Sequence, residues 1–191
     1  MALKVGDKAP DFKTKDQDGN EFTLSSLKGK RVVLYFYPKD MTPGCTAEAC
    51  SLRDNYKALQ KAGYEILGIS SDDEKAHRKF IEKEKLPFTL LADVDKSVHR
   101  KYNTWVEKSM YGRKYMGTAR VTFIIDEAGT ISEIIEKVDT KNHAGQILKD
   151  DSIQPVSIPV IVKKAAAPKK ALKKSALQRP AKPSASKKKK K

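Results

Sequence analysis

The feature that most constrains this chain is the stretch Arg31–Asp54, RVVLYFYPKDMTPGCTAEACSLRD. An apolar run, Val32–Tyr37, has the composition of a buried strand, and Pro38 stops it. After the short loop Lys39–Pro43 a helical pattern opens at Gly44, with Cys45, Ala49, Leu52, Tyr56 and Leu59 on one face. Its expected extent is Gly44–Lys61, with Gly63 placed to end it. Cys45 then occupies the first turn of a helix that follows directly on a strand. There a thiol meets unpaired N–H groups and the positive end of the helix dipole, and both favour the thiolate, the reactive form.

Both cysteines of the chain, Cys45 and Cys50, fall in this stretch. In an ideal helix five residues advance about 7.5 Å and turn about 140°. Their Cα atoms then lie roughly 8–9 Å apart, beyond the ~7 Å reach of a disulfide. The pair bonds only if the helix unwinds locally. That suits a switch better than a structural staple.

Strand and helix patterns alternate through the rest of the first 150 residues. A hairpin is expected from Phe12–Lys15 and Glu21–Leu24 around Asp18-Gly19, with a connector over Ser25–Lys30. Tyr64–Ser70 and Thr89–Ala92 have strand character. A helix is predicted over Glu74–Lys85, capped by Asp72 or Asp73 and bounded by Pro87, and a short one over Asp95–Tyr102. Asn103–Thr118 is a polar excursion. Ala119–Asp126 and Thr130–Val138 form a second hairpin, and Asp139 or Thr140 caps a last helix to Lys149. The pattern predicts an α/β fold around a mixed sheet.

Composition excludes several classes. Two cysteines are too few for a secreted disulfide scaffold, so a redox-active pair in a reducing, cytoplasmic compartment is expected. The start, MALKVGDKAPDF, lacks a basic segment before an apolar core, so no secretory leader is expected. No apolar run approaches the ~18 residues that span a membrane. C-x4-C without a second pair is weak for zinc, and His77, His99 and His143 are scattered through helices, where surface or packing roles are expected. No metal or other cofactor is called for. Glu48 has the position of a first-turn acid favoured by the dipole, with proton handling as the sharper alternative.

The motif Pro38-x-x-x-Thr42-x-x-Cys45 resembles the active-site signature of the peroxiredoxins. The longer run YPKDMTPGCTAEAC is similar to one subfamily, the bacterioferritin comigratory protein or peroxiredoxin Q group, which has a second cysteine five residues after the first. DKAPDF, the strand ending in GIS, LPFTLLAD, YGRKYMGTARVTFIID and HAGQIL extend the resemblance over roughly residues 2–150. It implies a thioredoxin-like fold of peroxiredoxin type, with a mixed central sheet, an N-terminal hairpin and flanking helices. It implies a thiol peroxidase acting on hydrogen peroxide and organic hydroperoxides, recycled by thioredoxin or a similar dithiol, and a monomer or weak dimer. By the same resemblance Cys45 is the peroxidatic nucleophile and Cys50 the resolving thiol that forms a disulfide with it. Thr42 and Pro38 position the peroxide and shield it from water, and Arg120 lies against the sulfur. Arg31 and Arg53 are weaker basic candidates.

The resemblance ends before residues 151–191, which hold 13 of the 39 basic residues and one of the 24 acidic ones. Most of the net charge of +15 therefore belongs to this segment, and residues 1–150 are near neutral. From Lys163 to Lys191 it is almost entirely Lys, Ala, Pro and Ser, a composition that predicts a disordered tail. Such an arm binds polyanions through counterion release without reading sequence. Nucleic-acid tethering, with nuclear or nucleoid association, is the expectation, against a merely solubilising role. A nucleic-acid-associated protein whose tail is the main functional element is the alternative to a peroxidase.

Overall fold

The computed structural model describes residues 3–110 and 112–149. The tail, and every expectation placed on it, lies outside the described residues.

The first hairpin is β1 (Lys13–Asp16) and β2 (Glu21–Thr23), followed by a 3-10 turn over Leu24–Leu27. β3 (Arg31–Phe36) leads into α1 (Pro43–Asp54) and α2 (Tyr56–Lys61). β4 (Tyr64–Ser70), α3 (Glu74–Glu84), β5 (Thr89–Ala92) and α4 (Ser97–Lys101) follow. Then come β6 (Trp105–Met110), β7 (Arg113–Thr118), β8 (Val121–Ile125), β9 (Ile131–Ile135) and α5 (His143–Leu148).

Seven strands form one mixed sheet in the order β2-β1-β5-β4-β3-β8-β9. β3, β4 and β5 run parallel, and the strands outside them pair antiparallel. β3 is unbroken in its apolar character because both of its faces are covered. Val33, Tyr35 and Tyr37 point to a core shared with Cys45, Ala49, Leu52 and Phe80 from the helices. Val32, Leu34 and Phe36 point to a second core with Phe12, Val98 and Tyr102. The period-two alternation of the strand thus divides one run between two layers. Tyr35 fits because Gly68 on β4 has no side chain: a Cβ there would lie 2.6 Å from the Tyr35 hydroxyl.

Three local readings differ from the sequence pattern. The helix expected over Gly44–Lys61 breaks at Asn55, whose side-chain amide donates to the Ser51 carbonyl at 2.9 Å and takes an acceptor from the backbone ladder. The excursion at 103–118 contains a separate two-stranded sheet, β6 with β7. The last helix is capped at Asn142, not at Asp139 or Thr140. Asp73 is the cap of α3, its carboxylate accepting from the Ala76 N–H at 2.8 Å.

Candidate active site

Cys45 is the third residue of α1 and is 1% exposed. Pro43 suits the first helical position because it has no N–H to leave unpaired. Thr42 is the N-cap residue, and its carbonyl accepts from the Thr46 N–H at 2.8 Å. The Thr42 hydroxyl donates to the Lys39 carbonyl at 3.1 Å, which fixes the loop rather than capping the helix. The first-turn amides are left to favour negative charge beside Cys45. Pro38 lies two residues past the end of β3 and is half-buried.

Arg120 reaches the site from across the sheet. β8 pairs with β3 so that Val121 faces Phe36, which sets Arg120 beside the end of β3 from which the cysteine loop departs. Its Nη2 donates to Cys45 Sγ at 3.3 Å. Gly44 faces the guanidinium, and a Cβ there would lie 3.4 Å from Nη2. The other terminal nitrogen, Nη1, pairs with Glu48 Oε2.

Glu48 is not a surface first-turn acid. It is fully buried one turn after Cys45, and burial raises its pKa to about 7 against the opposing pull of Arg120. Its other oxygen, Oε1, has no hydrogen-bond partner among the described residues and lies 3.8 Å from His143 Nε2. That nitrogen is 2.9 Å from the Thr122 hydroxyl, and the other ring nitrogen is 3.3 Å from Gln146 Oε1. Burial, with Arg120 adding to it, lowers the His143 pKa to about 4, so the ring is neutral at neutral pH. A neutral imidazole, a buried carboxyl and a fixed guanidinium therefore line up behind the sulfur.

The loop has a second anchor. Asp40 is buried, and its carboxylate accepts from the Tyr37 hydroxyl at 2.7 Å and lies 2.8 Å from His77 Nδ1. Its N–H donates to Asp72 Oδ2 at 2.8 Å. His77 on α3 thereby ties the peptide between Pro38 and Thr42 to the neighbouring helix. All three histidines are fully buried, and His99 is held by Asp93, which also accepts from the Val98 and His99 amides at the start of α4.

Cys50 sits on a different face of α1, half-buried, with Sγ 3.7 Å from Glu84 Oε2. Both cysteines are free thiols and the helix between them is continuous. The weaker basic candidates are engaged elsewhere. Arg31 donates to the Ala62 carbonyl at 3.1 Å, and Arg53 donates to the Glu84 carbonyl at 2.7 Å and pairs with Asp54. Lys108 on β6 is a cation that sequence reasoning missed. Burial and Arg120 both lower its pKa, and it donates to the Thr118 carbonyl. Among the described residues no three His, Cys, Asp or Glu side chains gather as a metal would require.

A model of the AhpC/TSA family matches residues 5–134. The chain belongs to the AhpC/TSA family of peroxiredoxins. It is 49% identical over 148 residues to a putative peroxiredoxin Bcp of Coxiella burnetii, covering 78% of this chain and 98% of that one. It is 48% identical over 146 residues to peroxiredoxin Bcp of Escherichia coli K12, covering 76% and 94%. Among solved structures, the bacterioferritin comigratory protein of Xanthomonas campestris is 35% identical with a TM-score of 0.69, covering 72% of this chain and 88% of that one. The peroxiredoxin is thus an oxidoreductase, a thiol-dependent peroxidase with the expected fold. No helix among its described residues is long and apolar enough to cross a membrane.

Sequence reasoning named Cys45, Arg120, Thr42, Pro38 and Cys50 as site residues, and the structure brings Cys45 and Arg120 into contact. It did not weigh Asp40 or Lys108, and it gave His77 and His143 surface or packing roles, because the contacts of Asp40 with His77 and of His143 with Glu48 join positions far apart in the chain. It undervalued Glu48, although a carboxylate three residues after a helical cysteine was the available signal.

Proposed function

We propose that Cys45 is the peroxidatic nucleophile of this peroxiredoxin. The observation that carries the assignment is the Arg120 guanidinium 3.3 Å from a buried sulfur in the first turn of α1. The thiolate attacks one peroxide oxygen, the O–O bond breaks, and water or an alcohol leaves. Arg120 holds the sulfur and offers its fork of donors to the peroxide oxygens. Thr42 and Pro38 shape the approach to the sulfur, and the hydroxyl of Thr42 keeps acceptor capacity while it donates to Lys39. The alkyl peroxide reduction described for the Xanthomonas campestris relative supports organic hydroperoxides as substrates beside hydrogen peroxide.

Cys50 then attacks the Cys45 sulfenic acid. An S–S bond forms, the S–O bond breaks, and the oxygen leaves as water. The continuous α1 holds the two thiols on different faces, so this step requires unwinding of the helix between them. Thioredoxin or a similar dithiol protein reduces the disulfide. Both thiols lie in one chain, which suits a monomer or weak dimer. The test is peroxide consumption with thioredoxin, its reductase and NADPH. Cys45→Ser abolishes turnover. Cys50→Ser weakens it and leaves a trappable sulfenic acid after one equivalent of peroxide. Full activity of Cys45→Ser overturns the assignment.

The 13 cations of residues 151–191 favour a second, additional reading, in which the tail tethers the peroxidase to nucleic acid in a nucleus or nucleoid. Mobility shifts of full-length protein and of a chain ending at Asp150, across salt, compare the two. Equal binding removes the tether.

A further inference from the structure

The proposed role of Cys50 as the attacking thiol leaves its own surroundings to be explained. Cys50 touches the last residue of α3. Its Sγ lies 3.7 Å from Glu84 Oε2, and the Glu84 side chain is 16% exposed. Three residues further along α1, Arg53 Nη1 donates to the Glu84 backbone carbonyl at 2.7 Å. Glu84 therefore receives two contacts from the second half of α1, one on its carboxylate and one on its carbonyl. The position is a poor one for a carboxylate on helix grounds alone. The C-terminus of α3 carries the negative end of a dipole, and an acid there is opposed by it.

We propose that Glu84 is a positioning residue for the resolving step, holding Cys50 as a thiol and pinning the second half of α1 until the helix unwinds. Burial and the two carboxylates around Cys50 act in one direction, against Arg53. Burial raises the Cys50 pKa most, and Glu84 and Asp54 raise it further. Lys83 sits 3.8 Å from the other Glu84 oxygen, Oε1, and leaves Oε2 to the thiol. Disulfide formation needs Cys50 to give up its proton and its place. The thiolate forms the S–S bond with the Cys45 sulfenic sulfur, the S–O bond breaks, and the departing hydroxide takes up a proton as water. No further oxidant or reductant enters. Unwinding frees Cys50 from Glu84 and makes both requirements one event, which sets how long the sulfenic acid persists and is open to further oxidation by a second peroxide.

This rests on the assignment of Cys50 as the resolving thiol, so the experiment has two arms. In the first, reduced full-length protein receives one equivalent of hydrogen peroxide. Disulfide closure is followed by rapid acid quench, alkylation and non-reducing mass analysis from pH 6 to 9. Glu84→Gln closes at least about threefold faster than wild type at pH 7, with its pH midpoint moved down, while Glu84→Asp stays near wild type. An unchanged rate and profile overturns the restraint. Slower closure also overturns it and makes the carboxylate the proton acceptor instead. In the second arm, Cys50 is alkylated in reduced Cys45→Ser protein, with and without Glu84→Gln. Faster alkylation at lower pH in the double variant supports the hold on Cys50, and equal rates remove it. Absence of any intramolecular disulfide in wild type overturns the assignment of Cys50 itself. The alkylation arm, which involves no peroxide, separates that failure from a failure of the contact.

Discussion

Cys45 and Cys50 are five residues apart on one helix, and they meet opposite electrostatic environments. Cys45 lies in the first turn of α1 with a guanidinium N–H aimed at its sulfur, buried against the core. Cys50 lies half-exposed, against a carboxylate at the negative end of another helix. A hydrogen-bond donor faces one sulfur and an acceptor faces the other. The difference teaches that the two cysteines are not two copies of a reactive group. In the proposed reaction one attacks the peroxide, and the other is held back until the helix between them opens. The same helix supplies both properties, because a turn of about 140° carries a side chain from one neighbour to another.

The largest effect falls on the Cys45 end. Arg120→Lys keeps a positive charge but loses the fork that serves Cys45 and Glu48 together. The second-order rate constant with hydrogen peroxide, measured by stopped flow, falls by about 10²-fold, as for loss of one preorganised donor at a developing charge. A rate within twofold of wild type breaks the comparison, since the sulfur would then owe nothing to the guanidinium. Closure of the disulfide after oxidation changes little, because Arg120 serves the first cysteine only.

The next effect is on stability and compares the two faces of the helix. Leu52 is fully buried beside Cys45 in the core of β3. Leu52→Ala costs about 2–5 kcal/mol in urea unfolding, from lost transfer energy and a residual cavity. Cys50→Ala costs about 1 kcal/mol or less, because its site is half-solvated and its polar contact with Glu84 is a long sulfur–carboxylate one. Similar losses for both would place Cys50 in the core and remove the reason for its availability.

The sheet and the cysteine helix were legible because each carries its signal locally. Val32–Tyr37 is apolar without a break, and Cys45, Ala49 and Leu52 repeat at helical spacing. Arg120 was legible only through the family motif, since its contact with Cys45 spans 75 positions. Long separations also hid the rest of the network: Asp40 with His77, Glu48 with His143, and Cys50 with Glu84. No period or spacing within one element marks such a pair. The hairpin β6–β7 was hidden for another reason. It pairs mainly with itself, and β7 is largely solvent-exposed, so no alternation of apolar and polar residues announces it. The break at Asn55 came from one side chain competing for one carbonyl, which no face-by-face pattern resolves.

The smallest effect sharpens the comparison at Glu48, which lies between the two cysteines and belongs to the first. Its pKa of about 7 in the folded protein exceeds the value of about 4.3 of a free carboxyl. Between those values the folded state holds a proton that the unfolded state has lost, so this group makes stability fall as pH rises across that window. His143 has the opposite sign. Its folded pKa of about 4 lies below the ordinary 6.5, so from 6.5 down to 4 the unfolded state gains a proton that the folded state refuses. Its contribution is present above 6.5 and is lost as pH falls towards 4. The two slopes oppose each other over most of the same range and flatten the wild-type profile. Glu48→Gln removes the falling term, so its urea midpoint rises with pH between 4 and 6.5. His143→Gln removes the rising term, so its midpoint falls as pH increases from about 4.3 to 7. Cys50→Ala leaves the wild-type slope as it was, because Cys50 and its carboxylate neighbour face away from this network. Parallel profiles for wild type and Glu48→Gln would mean that the carboxylate behind Cys45 is ionised throughout this range, and the buried end of the helix would then carry a permanent negative charge against its own sulfur.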